Sequence, residues 1–255
     1  MECLLEAAGL KKTFSISEKQ RKIDRTSDRK KVAVDGVSFR CFAGEIYGLL
    51  GPNGAGKTTV MRILSTLIRA DEGDAKICGH SIKTEPELVR QEIAFLTSEL
   101  KLDEFFTPNY MFDFYARLHD TEPTARKQML FDKFGINKFA EVKIGELSTG
   151  MKQKVSLAIS LAHDPRVIIY DEPTNGLDVL TAKTVTDFLL ELKAAGKCII
   201  VSTHIFSLVE KVCDRVGVII NGKMVCDDTL RAVRGSKNLE DAFFDIYSKT
   251  VGVVE

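Results

Sequence analysis

Nine consecutive residues, Gly51-Pro52-Asn53-Gly54-Ala55-Gly56-Lys57-Thr58-Thr59, concentrate the chemistry of this chain. They fit G-x-x-x-x-G-K-[ST], a pattern that cradles phosphate. Glycines lack the Cβ that would keep backbone N–H groups from converging on an anion. Lys57 adds a point charge for the outer phosphates, and Thr58 offers a hydroxyl to a magnesium ion. A second concentration of charge, Asp171-Glu172, follows the apolar run Val167–Tyr170. At the carboxyl end of a strand, Asp171 is placed to hold magnesium through water, and Glu172 to polarise a water toward a γ-phosphate. Two acids after an apolar run commonly mark no more than a strand end. Beside a phosphate loop they point to phosphoryl chemistry.

These residues need elements to position them. Glu45–Leu50, before the loop, is a short apolar run and predicts a buried strand; Val60–Ile68, after it, has helical spacing and sets the phosphates at a helix N-terminus. Residues 3–10 predict a first strand with a turn at Gly9–Phe14, and Val32–Phe42 predicts a strand pair around Asp35-Gly36. Between them, Ser15–Lys31 holds seven basic and three acidic residues and almost nothing apolar, which predicts a solvated loop; contact with anionic lipid or an acidic partner is the alternative. Short strands are predicted at Ala75–Cys78 and Ile93–Leu96, with a helix around Leu88–Gln91. Residues 104–134 are rich in aromatics, are interrupted by Pro108 and Pro123, and read as a mainly helical insertion whose aromatic stripe is core, with a docking surface for a partner helix as the alternative for part of it. Regular alternation follows: helices at Thr149–Ala162, Thr181–Ala194 and Ile205–Val212, strands at Val167–Tyr170 and Cys198–Val201. A hairpin then turns at Asn221-Gly222, and short helices follow Leu230. Such alternation predicts a mainly parallel sheet covered on both faces.

Composition narrows the function classes. The chain has 255 residues, 44% of them hydrophobic, enough for a sizeable core, and its 36 basic residues balance 36 acidic ones, which argues against a general nucleic-acid binder. Six cysteines are scattered without C-x-x-C or zinc spacing, as expected of reduced, mostly buried thiols in a cytosolic protein. Met1–Glu6 has no basic region or apolar core of a signal peptide, and no run is long enough to span a membrane. No internal repeat is visible.

Leu147-Ser148-Thr149-Gly150-Met151-Lys152-Gln153 distinguishes among phosphate-loop classes, because it resembles the L-S-G-G-Q signature of ATP-binding-cassette (ABC) ATPases. The resemblance runs from about Leu4 to Arg234 and keeps the family's motif order. Gly51–Thr59 resembles its Walker A, Val167–Glu172 its Walker B, Asn175–Asp178 its D-loop, and His204 its switch histidine. Phe14 lies where the family stacks an aromatic on adenine. The implied fold is α/β: a P-loop core with a mainly parallel sheet, an N-terminal antiparallel β subdomain and an inserted helical subdomain. Residues 1–96 and 164–238 would form the core, 97–163 the helical insertion and 239–255 a tail. The resemblance also implies ATP and Mg2+ as ligands, with Glu172, His204 and Lys57 catalytic, and Thr58 and Asp171 on the metal. Each ATP would be sandwiched between two ATPase subunits arranged head to tail. Ser148, Gly150 and Asp178 would then serve ATP held by the opposite copy, in a homodimeric arrangement beneath a separate integral membrane permease, on the cytoplasmic face of the membrane. No nucleic acid is expected.

Two departures stand out. Thr149 and Met151 replace one residue of the Gly-Gly pair and the glutamine of the signature, and Thr97-Ser98-Glu99 replaces the glutamine that the family places after the strand Ile93–Leu96. Glu99 is the oxygen donor available in its stead. The stretches Thr97–Tyr110 and Ser148–Gln153 are similar to ATP-binding subunits of bacterial sodium-export transporters, with drug and lipid exporters as wider relatives. Three rival classes fit less well. A GTP switch needs Asn-Lys-x-Asp, but Asn137-Lys138 is followed by Phe139-Ala140; a small-molecule kinase would lack the Ser148-x-Gly150 and His204 elements. A soluble cassette acting on ribosomes or DNA shares every nucleotide motif, yet those relatives carry tandem cassettes or a long coiled coil.

Overall fold

The structure, a computed structural model, describes residues 2–24, 27–97, 102–122, 124–174 and 177–252. Two long strands come first, β1 (Cys3–Ser15) and β2 (Lys30–Phe42), separated by the short helix α1 (Glu18–Asp24). Next, β3 (Ile46–Leu50) leads into α2 (Lys57–Leu64), and β4 (Glu72–Ile77), β5 (His80–Ser81) and α3 (Pro86–Glu92) precede β6 (Ile93–Thr97). The middle of the chain is helical, with α4 (Pro108–Leu118), α5 (Thr124–Phe134) and α6 (Thr149–Ser160). Alternation resumes with β7 (Val167–Asp171), α7 (Val179–Ala194), β8 (Cys198–Ser202) and α8 (Phe206–Val212). The hairpin β9 (Arg215–Ile220) and β10 (Lys223–Thr229) follows, then α9 (Leu230–Arg234) and α10 (Leu239–Val251).

The strands form two sheets. One has the order β2-β1-β4-β5 and is antiparallel throughout; the other has the order β10-β9-β3-β8-β7-β6 and is parallel except where β10 joins β9. Every residue of β3, β7 and β8 is buried, which explains why these strands read as continuous apolar runs rather than alternating ones. Their side chains divide between two cores. Val167 and Ile169 face the antiparallel sheet and α2, whereas Ile168 and Tyr170 face the helical side, with Phe112, Phe131 and Phe188. Edge-to-face pairs at Phe112–Phe131 and Phe134–Phe188 place Phe112, Phe131 and Phe134 of the aromatic insertion in that core. Phe106, Tyr110 and Phe114 instead stack as an exposed ladder along α4.

Three local expectations change. The predicted turn at Gly9–Phe14 is absent; β1 passes through Gly9 with a register shift between Ala7 and Leu10, and Gly9 N–H donates to Ser38 Oγ at 2.8 Å. Asp35-Gly36 does not reverse the chain either, since β2 runs unbroken and Asp35 N–H donates to the carbonyl of Gly222 at 2.8 Å. In both places a long neighbour supplies ladder partners past the glycine, and a bulge absorbs it. The basic stretch expected as loop holds α1, whose Gln20 N–H is capped by Ser17 Oγ at 3.2 Å. Of the cysteines, Cys41, Cys198 and Cys213 are buried, Cys78 and Cys226 half-buried and Cys3 exposed.

Candidate active site

The carboxyl ends of β3, β7 and β8 lie side by side, because Ser202 of β8 pairs with Leu49 on one flank and Asp171 on the other. Where β3 ends, the backbone turns tightly against two neighbours. A Cβ on Gly51 would sit 2.2 Å from the carbonyl oxygen of Ile219, and one on Gly56, at φ +111°, would sit 2.3 Å from that of Ala33. These two approaches explain the glycines; any side chain would push the loop off β2 or β9. Gly56 then starts α2, so the first N–H groups of that helix open at the loop. Lys57 is only 7% exposed, and its ammonium donates to the carbonyls of Gly51 at 2.7 Å and Pro52 at 3.2 Å. Burial pulls the pKa of Lys57 below the ordinary lysine value, and the charges of Glu172 and Asp171 oppose that shift.

Asp171 is buried at the end of β7, where it accepts from Thr58 Oγ1 at 2.8 Å and from the hydroxyl of Ser202. Phosphate loop and acid are thereby joined through one hydroxyl. The next residue, Glu172, has φ +54°, a left-handed conformation that costs a non-glycine residue about 1 kcal/mol. Its N–H donates to the carbonyl of Ser202 at 3.0 Å, which holds this bend. The carboxylate is divided. Oε1 lies 3.0 Å from Nδ1 of His204, whereas Oε2 is buried and has no hydrogen-bond partner among the described residues. A carboxylate accepts only, so an ionised Glu172 receives the proton on Nδ1 and orients the imidazole.

Phe14, Asn53, Gly54, Gly56, Lys57, Thr58, Thr59, Asp171 and Glu172 line a single cleft of about 340 Å³, and His204 joins it through Glu172. Gly51 and Pro52 stand behind the loop as acceptors for Lys57, and Ala55 is buried there, its carbonyl accepting from Gly222 N–H at 2.9 Å. Three further lining residues, Lys31, Ala33 and Thr97, were not singled out by sequence. For Thr97 a signal existed: it ends an apolar run, as Asp171 does, and the two are ladder partners. For Lys31 there was none, because it sits inside a run of like charges. Ser148, Gly150 and Asp178 do not line the cleft. Ser148 caps α6, accepting from Met151 N–H at 3.3 Å, and Asp178 caps α7, accepting from the N–H groups of Leu180 and Thr181 at 3.0 Å each. The two helix starts are neighbours, since a Cβ on Gly150 would come 3.8 Å from Asp178 Oδ2. Hydrogen bonds from the hydroxyl and N–H of Thr181 hold the Asp178 carboxyl below its usual pKa. Ser98, Glu99, Asn175 and Gly176 lie outside the described residues.

Residues 34–175 match the family described as ABC transporter. The chain is also 35% identical over 233 residues to the ABC transporter ATP-binding protein NatA of Bacillus subtilis, an alignment covering 89% of this chain and 95% of that protein. This chain belongs to the ABC transporter family. It is the ATP-binding, ATP-hydrolysing subunit of such a transporter. Similar proteins include the Nod factor export ATP-binding protein I of Burkholderia lata, 36% identical over 206 residues (80% of this chain, 68% of that one). The daunorubicin resistance ATP-binding protein DrrA3 of Streptomyces coeruleorubidus is 33% identical over 222 residues (85% and 70%). Among solved structures, an ATP-binding subunit of an ABC transporter superimposes with a TM-score of 0.83 at 26% identity, covering 96% of this chain and 99% of that one. A dimeric ATP-binding cassette in a post-hydrolysis state with ADP and Pi shares the fold, with a TM-score of 0.79 at 23% identity over 89% and 99% of the two chains. No helix among the described residues is long and apolar enough to cross a membrane.

Proposed function

We propose that Lys57, Glu172 and His204 carry ATP hydrolysis in this subunit and that a second copy completes each site. The Glu172 carboxylate is the observation that supports this assignment most strongly: one oxygen is tied to His204, the other is buried and unpaired among the described residues, and the residue lines the same cleft as Lys57 and Asp171. Oε2 is therefore the acceptor for a proton from water attacking the γ-phosphorus, as the bond from that phosphorus to ADP breaks and phosphate leaves. The N–H groups of the loop and Lys57 hold the phosphates, and Phe14, 40% exposed at the cleft mouth, offers a face for adenine. Thr58 Oγ1 and Asp171 are adjacent hard oxygen donors of the kind Mg2+ takes, and these two residues would hold the ion. Bound there, the ion would neutralise charge on the phosphates. Ser148, Gly150 and Asp178 form a second cluster outside the cleft, which fits a head-to-tail homodimer in which they contact the ATP of the partner copy.

The transporter is an exporter, held on the cytoplasmic face of the membrane by a separate integral membrane permease, and its cargo is sodium ion. Export is supported by the similarity to a Nod factor export protein, and sodium by the likeness of Thr97–Tyr110 and Ser148–Gln153 to sodium-export subunits. A drug-export reading draws on the daunorubicin resistance relative. Within the chain, 1–96 and 164–238 form the nucleotide-binding core, 97–163 the helical subdomain and 239–255 the tail; α4, α5 and α6 all fall within the second of these. The test is ATP-driven 22Na+ efflux from vesicles containing this chain and the membrane subunit that co-purifies with it. Efflux that needs both chains is expected. Daunorubicin efflux without sodium efflux would replace the cargo, and co-purification with ribosomes in place of a membrane protein would overturn the transport role of this chain.

A further inference from the structure

The nucleotide cleft has a second cation that the motifs do not account for. Lys31 lines it from β2, two residues before Ala33. In the β1–β2 ladder Lys31 is the direct partner of Phe14, so both side chains stand on one face, with Cβ atoms about 5 Å apart. The ladder then slips: Thr13 pairs with Val32 and Lys12 with Val34, leaving Ala33 unpaired in a bulge. Bulges re-aim neighbouring side chains, and this one presses the Ala33 carbonyl against the phosphate loop at Gly56 and the turn at Gly222. β2 is thus docked on the phosphate loop roughly 7 Å of strand away from Lys31, a span that a flexible four-carbon stem covers. Charge points the same way. Lys12 is paired with Asp71 at 2.8 Å and Lys11 with Glu72 at 2.8 Å, but no carboxylate among the described residues pairs with Lys31. Along the cleft, Lys57 and Lys31 face Asp171 and Glu172, so without Lys31 the acids would outnumber the bases where a polyanion must bind.

We propose that Lys31 is a nucleotide-binding residue, its ammonium pairing with the phosphate chain of ATP from the β2 side while Phe14 beside it holds the base. This role rests on the ATP site read above. Calorimetry with ATP and with adenosine tests it on the parent chain, K31A, K31E and K22E, the last reversing another lysine of the same basic stretch. K31A is expected to bind ATP about 3- to 10-fold more weakly and K31E more weakly still, with adenosine unchanged in both and K22E within twofold of the parent for either ligand. ATP affinity of K31E within twofold of the parent overturns the proposal. So does an equal loss in K22E, which would make the effect a diffuse field, or an equal loss for adenosine, which would place Lys31 on the base. Thermal unfolding identifies a misfolded variant, and K31Q is then read in its place. A parent chain that binds no ATP overturns the site itself, whereas a binding parent with an indifferent K31E overturns the role of Lys31 alone.

Discussion

Replacing Glu172 with Gln removes one proton-accepting oxygen and almost nothing else. The shapes match, the left-handed backbone at φ +54° is retained, and an amide can still meet Nδ1 of His204 at the observed 3.0 Å. What disappears is the basicity of the buried Oε2 atom, which has no partner among the described residues to take over its role. A positioned base is worth about 10²- to 10⁴-fold, so the barrier should rise by roughly 3–5 kcal/mol and ATP turnover fall by that factor. Binding should survive, because the phosphates are held by the loop and Lys57. Affinity should even rise modestly as a negative charge leaves the cleft, giving a stable nucleotide-bridged dimer. A second readout comes from Lys57. Burial lowers its pKa and Glu172 partly restores it, so E172Q lowers it further, and the alkaline loss of ATP binding, as Lys57 deprotonates, should begin at lower pH than in the parent. Phosphate release at saturating ATP, calorimetric ATP binding across pH and size-exclusion chromatography measure the three effects. Parental turnover in E172Q would remove Glu172 from catalysis. Loss of ATP binding together with turnover would make it a structural support of the cleft.

Two other perturbations probe the frame around the site. Gly56→Ala places a Cβ 2.3 Å from a backbone oxygen of β2 at φ +111°, whereas Gly54→Ala, at φ +78°, meets nothing within 4 Å. G56A should therefore lose about 2–3 kcal/mol of stability and at least tenfold in ATP affinity, G54A only about 1 kcal/mol, as read by denaturant midpoints and calorimetry; equal costs would contradict the close approach. On the helical side, His163 stacks on His119 with ring centroids 3.9 Å apart. Burial first, and the neighbouring His119 second, push the His163 pKa down to about 4. The unfolded chain then binds the proton first on acidification, so this contribution is complete above pH ~6.5 and is lost as the pH falls toward ~4, roughly 3 kcal/mol in all. His163→Asn should flatten the stability slope over that window relative to the parent, and parallel slopes would show that His163 does not titrate there.

Much of the site is local, and locality made it legible. The loop Gly51–Thr59, the strand before it and the helix after it are contiguous, so glycine spacing and helical periodicity specify a phosphate cradle without distant partners. The buried strands β3, β7 and β8 declared themselves through unbroken apolar runs, and Asp171-Glu172 through its place at the end of one. The helices α6 and α7 were legible from their apolar spacing, while the capping by Ser148 and Asp178 shows only in the structure. Tertiary structure decided what depends on residues far apart in the chain. Gly9 and Asp35-Gly36 carry the local chemistry of turns, yet β1 and β2 pair along their lengths and override it. The contact of His204 with Glu172, the union of Thr58 with Asp171, and the arrival of Lys31 and Thr97 beside the phosphate loop each bring together separate elements whose relative placement no local pattern encodes. Residue types along the chain thus determined which chemistry was available, while the parallel register of β3, β8 and β7 and the docking of β2 on Gly56 determined which of those residues share one cleft.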